Sequence, residues 1–147
     1  MDRFKTFTLL IGSIHRSIRR IKMGVMTVYD LKSQHVSCLH YLYKEGPLTA
    51  SELCELCNED KANISRTLDY LEENGYLAPR PACRRYRTPL VLTDRGREVG
   101  EYLAERIEEV LSGSSNGVSD ADRAVMYESL SVIDRNLQSI CDKYLSE

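Results

Sequence analysis

Apolar residues in the first thirty positions, Phe4, Phe7, Ile11, Ile14, Ile18, Ile21, Val25 and Val28, recur at spacings that alternate three and four. That is the seam of a long helix that packs against another helix. Gly24 marks its expected end. A second helix is predicted from Ser33, as N-cap, through Val36, Leu39 and Tyr43 to the stop signal Gly46-Pro47. Thr49 followed three residues later by Glu52 is a capping box, and Leu48 with Leu53 fits a hydrophobic staple, so a third helix begins there. It is expected to bury Leu53, Cys54, Leu56 and Cys57 and to end near Cys57-Asn58. Asp60 can cap a fourth helix that carries Ile64, Leu68 and Leu71 at i, i+4 and i+7 before Asn74-Gly75 ends it.

Two short helices joined by so tight a turn are the helix-turn-helix signature. Beyond them Pro79, Pro81 and Pro89 forbid a regular helix, and the residues near Leu77 and Leu90-Val91-Leu92 suit two short strands, with Pro81 to Arg85 as a hairpin tip. Thr93 then caps a helix through Val99, Leu103, Ile107 and Val110, closed by the loop Ser112 to Gly117, and Ser119 opens a last helix. In that helix Met126, Leu130, Ile133, Leu137, Ile140 and Tyr144 again alternate four and three. The expected fold is mainly α with a small β-hairpin wing: a winged helix-turn-helix, residues 33–97, flanked by long helices in residues 1–32 and 98–147 of one domain.

The net charge of −2 announces no polyanionic partner, but the distribution of charge does. Residues 1–32 hold seven Lys/Arg against Asp2 and Asp30, and residues 79–97 hold six arginines against Asp94, while the rest of the chain is net acidic. Arginines so crowded repel one another unless a polyanion neutralises them, which points Arg80, Arg84, Arg85 and Arg87 at phosphates and the minor groove. On the fourth helix, burial of Ile64, Leu68 and Leu71 leaves Lys61, Ala62, Asn63, Ser65 and Arg66 at the outward amino end. Asn can read adenine edges, Arg guanine, and Ser or Lys can hold phosphate.

The apolar run Thr6 to Ile11 is too short for a secretory core, and no span approaches transmembrane length, so a cytoplasmic protein with no membrane partner is expected. The five cysteines then read as reduced thiols. Cys54 and Cys57 have CxxC spacing, but a single pair inside a helix reads as small core residues rather than a metal site. Cys83, beside Arg84 and Arg85, is the candidate redox thiol. His35 and Cys38 lie at i, i+3 and, with His15 from another helix, are the candidate ligand or effector pocket; hydrogen-bonded interface histidines are the alternative. No Ser-His-Asp order, nucleotide-binding glycine loop or HExxH occurs, so neither an enzyme nor a cofactor is expected.

Three fragments in order, Leu48-Thr49 to Leu53, Asn63-Ile64-Ser65-Arg66-Thr67-Leu68-Asp69-Tyr70-Leu71-Glu72-Glu73-Asn74-Gly75-Tyr76-Leu77, and Leu92-Thr93-Asp94-Arg95-Gly96, make the chain resemble the MarR (multiple antibiotic resistance regulator) family over nearly its whole length. The resemblance implies a bacterial homodimer whose terminal helices intertwine, dimerising through Phe4, Phe7, Ile11, Ile14 and Ile18 and through Met126, Leu130, Ile133, Leu137, Ile140 and Tyr144. It implies two recognition helices in successive major grooves of a pseudo-palindromic double-stranded operator. It further implies repression that is relieved by a small aromatic or phenolic effector. Where the family's wing carries an Asp-x-Arg pair, this chain has Arg84-Arg85-Tyr86, so Arg85 and then Arg84 are the nearest substitutes for the wing arginine. Two other readings remain open: a redox- or metal-responsive regulator of the same fold, and a winged-helix scaffold for protein association.

Overall fold

The computed structural model describes residues 2–84 and 86–145. Six helices follow one another: α1 Arg3–Met26, α2 Ser33–Glu45, α3 Ala50–Cys57, α4 Lys61–Glu73, α5 Asp94–Ser114 and α6 Asp120–Leu145. The chain divides into two units, one ending at Glu108 and one beginning at Glu109. No helix among the described residues is long and apolar enough to cross a membrane.

Local signals explain most helix ends. The Asp2 carboxylate accepts from the amides of Phe4 (3.0 Å) and Lys5 (3.3 Å) at the start of α1. Helix α1 then runs past Gly24 to Met26, because a glycine in a helix weakens it without breaking it. Helix α2 is capped one residue earlier than expected, at Lys32 rather than Ser33. The cause is His35, whose Nδ1 accepts from the Lys32 amide at 2.9 Å, the part that Glu or Gln plays in a capping box. At α3 the box is the expected one: Glu52 Oε2 accepts from the Thr49 amide at 2.7 Å, and Thr49 Oγ1 accepts from the Glu52 amide at 3.3 Å. Helix α5 absorbs Ser112 to Ser114 of the expected loop, and Ser119 Oγ caps α6 by accepting from the Asp122 amide at 3.1 Å.

The core of the first unit lies where α2, α3, α4 and the start of α5 meet. Leu39 of α2, Leu53 of α3, Ile64, Leu68 and Leu71 of α4 and Leu103 of α5 are all fully buried. Each such side chain contributes about 1.5–3 kcal/mol by leaving water. Leu56 departs from expectation: it is 42% exposed, because the buried stripe of so short a helix runs through Ala50 and Leu53. In the second unit no residue of α6 is buried.

Among the described residues the segment between α4 and α5 pairs antiparallel at two isolated bridges, Leu77 with Leu92 within it and Leu90 with Leu48 of the α2–α3 connection. The Leu90 amide donates to Leu48 O (2.8 Å), Ala78 to Val91 O (2.9 Å) and Thr93 to Tyr76 O (3.1 Å). The pairing stops there among the described residues. Prolines 79, 81 and 89 have no N–H to extend a ladder, so the two expected strands are reduced to these contacts.

Two tests follow from the packing. A Cβ on Gly96 would lie 2.0 Å from the Tyr76 carbonyl oxygen and 3.1 Å from Leu92 Cδ2, so Gly96→Ala is expected to lower the unfolding free energy by about 3 kcal/mol in a urea titration. Burial, with the charge of Lys32 adding to it, holds the His35 imidazole below its ordinary pKa, against a smaller opposing effect of Asp30. The folded state then keeps His35 neutral while the unfolded chain takes up a proton below about pH 6.5. This contribution to stability is complete above that pH and is lost as pH falls through the folded value. His35→Gln keeps an acceptor for the Lys32 amide but cannot titrate, so it should reduce the fall in urea midpoint between about pH 7 and 5.5. The slope that remains belongs in part to His40, which burial also holds low.

Candidate nucleic-acid interface

Helix α3 ends at Asn58, which takes the left-handed conformation (φ 50°) that glycine more often supplies. The Asn58 amide donates to Glu55 O (3.2 Å) and the Glu59 amide to Cys54 O (3.1 Å), closing the turn. Asp60 Oδ1 then accepts from the Asn63 amide at 2.8 Å and starts α4. With Ile64, Thr67, Leu68 and Leu71 turned into the core, Lys61, Ala62 and Arg66 are exposed and Asn63 and Ser65 half-buried. The five residues are therefore brought together on one helix end.

Its side chains are already hydrogen-bonded. Asn63 Nδ2 donates to Glu59 Oε2 (3.1 Å) and Asp60 Oδ2 (3.2 Å), and Arg66 donates to Asn63 Oδ1. A base edge that engages Asn63 must replace these partners. Glu59 is the element that charge counting missed: it stands in the turn, outside the helical spacing that singled out the readers.

The arginines after α4 divide by role. Arg80, expected to meet phosphate, is instead an internal brace: its side chain is only 6% exposed and donates to Asp69 Oδ1 (2.6 Å) and Glu72 Oε2 (2.5 Å), one turn apart on α4. That spacing of acids was visible in the sequence, but the partner was not. Arg95 donates to Asn74 O (3.0 Å) and to the Tyr76 hydroxyl (3.2 Å) while lying over the Tyr76 ring, and Arg97 sits 3.8 Å from Asp94. Crowding among the arginines is thus relieved partly within the protein. Arg84 and Arg87 remain exposed, and Arg85 lies outside the described residues. Arg84 has φ 61°, and its carbonyl accepts from the amides of Arg87 (3.0 Å) and Thr88 (3.1 Å), forming a tight turn. The turn is tied to α4 through Tyr86, whose ring carries Lys61 Nζ 4.0 Å from its centroid.

The candidate pocket residues are not brought together. His35 is buried and stacks on Tyr70 with ring centroids 4.1 Å apart, Cys38 packs against Cys57, and His15 is exposed on α1. Among these three only His15 borders the cavity of about 600 Å³ beside α1 and α2, which is lined also by Arg19, Lys22, Met26, Lys32 and Glu59. Cys83 is exposed, Cys54 and Cys57 are partly covered, and among the described residues no three His, Cys, Asp or Glu side chains are placed to hold a metal.

A helix with its apolar stripe in the core and its amino end exposed, set across a tight turn from a short bracing helix, defines a helix-turn-helix, with a basic turn rather than a strand ladder at its side among the described residues. Residues 29–85 match the model described as MarR family, which bears out the resemblance read from the sequence. A Bacillus subtilis protein described as the uncharacterized HTH-type transcriptional regulator YfiV is 25% identical over 111 residues, 75% of this chain and 69% of that one. Among solved structures, the MarR family regulator NMB1585 of Neisseria meningitidis superposes with a TM-score of 0.81 at 17% identity, covering 97% of this chain and 99% of its own. MepR of S. aureus in its DNA-binding conformation gives 0.79 at 17% identity, covering 89% and 98%. These likenesses establish the fold over almost the whole chain.

The division of the arginines is open to test. Arg80→Ala would remove the guanidinium that spans Asp69 and Glu72 and should cost about 2 kcal/mol in urea unfolding, below the figure for a fully buried pair because Asp69 is 44% exposed. Arg84→Ala should change stability by less than about 0.5 kcal/mol.

Proposed function

We propose that the chain is a homodimeric transcriptional regulator that binds double-stranded DNA sequence-specifically, as a repressor relieved by a small-molecule effector. The observation that carries this reading is α4: its rotation is set by three fully buried residues, and the exposed Lys61, Ala62 and Arg66 flank the half-buried Asn63 and Ser65 beside the Arg84 to Arg87 turn. In this reading residues 33–97 are the DNA-binding part of one MarR-like domain, 1–32 and 98–147 its dimerisation helices. Base edges meet Asn63 and Arg66, while Lys61, Ser65, Arg84, Arg85 and Arg87 hold phosphates or the minor groove, the turn acting as the wing.

Dimerisation is supported by apolar surface that a second copy would cover. Phe4 is 77% exposed and Phe7, Ile11, Ile14 and Ile18 are exposed with it; on α6, Met126, Leu130, Leu137, Ile140 and Tyr144 are exposed, and Ile133 is half-buried. The cavity of about 600 Å³ supports an effector site, its volume falling in the range of small-molecule pockets. Arg19, Lys22 and Lys32 around the apolar Ile18, Met26 and Leu31 suit an aromatic molecule that carries a negative charge. Glu59, on the wall of that cavity, also accepts from Asn63 of α4, which gives a ligand there a direct route to the reading face.

Fluorescence anisotropy on duplexes from the region upstream of the gene tests the reading. Tight binding that weakens steeply with salt and exceeds binding to random duplex is expected; weak, salt-insensitive binding without preference would refute it. Arg66→Ala should cost about 1–3 kcal/mol on the preferred site and relax its sequence preference, whereas Arg87→Ala should weaken all duplexes alike and lower the salt slope by about one.

A further inference from the structure

Cys38, in the middle of α2, is fully buried, and its Sγ lies 4.0 Å from Sγ of Cys57, the last residue of α3. The two thiols come from different helices and differ in exposure, Cys57 being only partly covered. Neither is used by the reading face. Cys57 immediately precedes left-handed Asn58, and the turn Asn58 to Asp60 then sets the start of α4. A covalent bond at this point would act on the joint between the bracing helix and the reading helix.

We propose that Cys38 and Cys57 form a reversible disulfide when the protein meets a hydroperoxide, with Cys57 as the attacking thiol and Cys38 as the resolving one. The regulatory consequence drawn below rests on the DNA-binding reading; the disulfide itself does not.

The electrostatics support this assignment. Either sulfur can donate in this contact, but Cys57 is the more exposed and so the one a peroxide reaches; an S–H donated by Cys38 then holds the Cys57 pKa below the ordinary thiol value, with the charge of Lys22 assisting, against burial and Glu59. The same contact, with burial, pushes the Cys38 thiol up. In the first step the Cys57 thiolate attacks the distal oxygen of the peroxide. An S–O bond forms, the O–O bond breaks, and the alkoxide or hydroxide leaves as an alcohol or water after taking a proton, so that Cys57 becomes a sulfenic acid. In the second step Cys38 sulfur attacks Cys57 sulfur. The S–S bond forms, the S–O bond breaks, and the leaving hydroxide combines with the Cys38 proton as water. Two thiols have lost two electrons and two protons to one peroxide, and a dithiol reductant reverses the change by exchange.

Closing the sulfurs from 4.0 Å to about 2.05 Å draws the end of α3 toward α2 by up to about 2 Å. Around them Leu39, Leu53 and Leu68 are fully buried, so close packing passes the shift on to neighbouring helices rather than absorbing it.

The test uses the full-length reduced protein treated with one to a few equivalents (about 1–5) of hydrogen peroxide, then alkylated, digested and analysed by mass spectrometry. The expected product is the Cys38 peptide linked to the Cys57 peptide, two hydrogens lighter than the dithiol and released by dithiothreitol. It should persist in Cys54→Ser and in the Cys83→Ser, Cys141→Ser double variant. It should vanish in Cys57→Ser and in Cys38→Ala, the last chosen because the site is buried and apolar. In Cys38→Ala, dimedone should trap the sulfenic acid on Cys57, with circular dichroism and a cooperative urea transition checking that the variant is folded. Oxidation confined to Cys83 or Cys141, or a link through Cys54 in place of Cys57, would overturn the proposal. DNA affinity of the reduced and linked forms should differ by at least about tenfold, a modest coupling. A link that forms with unchanged affinity would remove the switch. A link that forms in a protein without DNA affinity in either state would defeat the regulator reading and leave the disulfide standing. DNA binding without any link would do the reverse.

Discussion

Everything α4 presents outward depends on how the helix is rotated, and that rotation is set by burial of Ile64, Leu68 and Leu71 among α2, α3 and α5. Side chains at i, i+4 and i+7 span a narrow stripe, so turning the helix by one residue would replace leucine in the core with a charged neighbour such as Asp69 or Glu72. Arg80 reinforces the same choice from outside. Its guanidinium holds Asp69 and Glu72, one turn apart, and so ties the segment after α4 to the back of the helix. The front, with Lys61, Asn63, Ser65 and Arg66, is then fixed by what it is not needed for.

This division changes the meaning of the basic segment. Six arginines between residues 79 and 97 look equivalent by charge, but an arginine with two carboxylates in reach is a structural element, and one held by carbonyl and phenol oxygens is another. Arg80 and Arg95 fall into those classes. Arg84 and Arg87 instead stay exposed on the tight turn that the Arg84 carbonyl closes, held against α4 by the Lys61 and Tyr86 contact. The electrostatic footprint is therefore smaller than composition implies, and it is placed beside the amino end of α4 rather than spread along the segment.

Periodicity made the helices legible because their core faces repeat at a fixed spacing; Thr49 with Glu52, Asp60, Asn74-Gly75 and Thr93 marked ends through local hydrogen bonds that the residue types announce. The exceptions have physical causes. Lys32 rather than Ser33 caps α2 because a histidine at the third helical position supplies the acceptor, a role the usual Glu/Gln signature does not cover. Proline-interrupted pairing leaves bridges where strands were expected. The grouping of Lys61, Asn63, Ser65 and Arg66 at one helix end was legible because it is local to one helix. The partners of Arg80, the Cys38 to Cys57 contact and the separation of His15, His35 and Cys38 were not, since each depends on which faces of distant segments meet.

The turn between α3 and α4 is where these long-range facts converge. Cys57 ends α3, Asn58 reverses the chain, Glu59 reaches from the wall of the α1 and α2 cavity to Asn63, and Asp60 caps α4. Asn58 needs its left-handed conformation for both of the turn's closing hydrogen bonds, so the segment has few ways to relax other than by moving α4. A ligand that draws Glu59 away would free Asn63 from one of its two carboxylate partners, and a bond at Cys57 would displace the turn as a whole. Both perturbations enter through residues two positions apart in one turn and leave through the same helix, so they differ in chemistry but act on one coordinate: the position and hydrogen bonding of the first turn of α4.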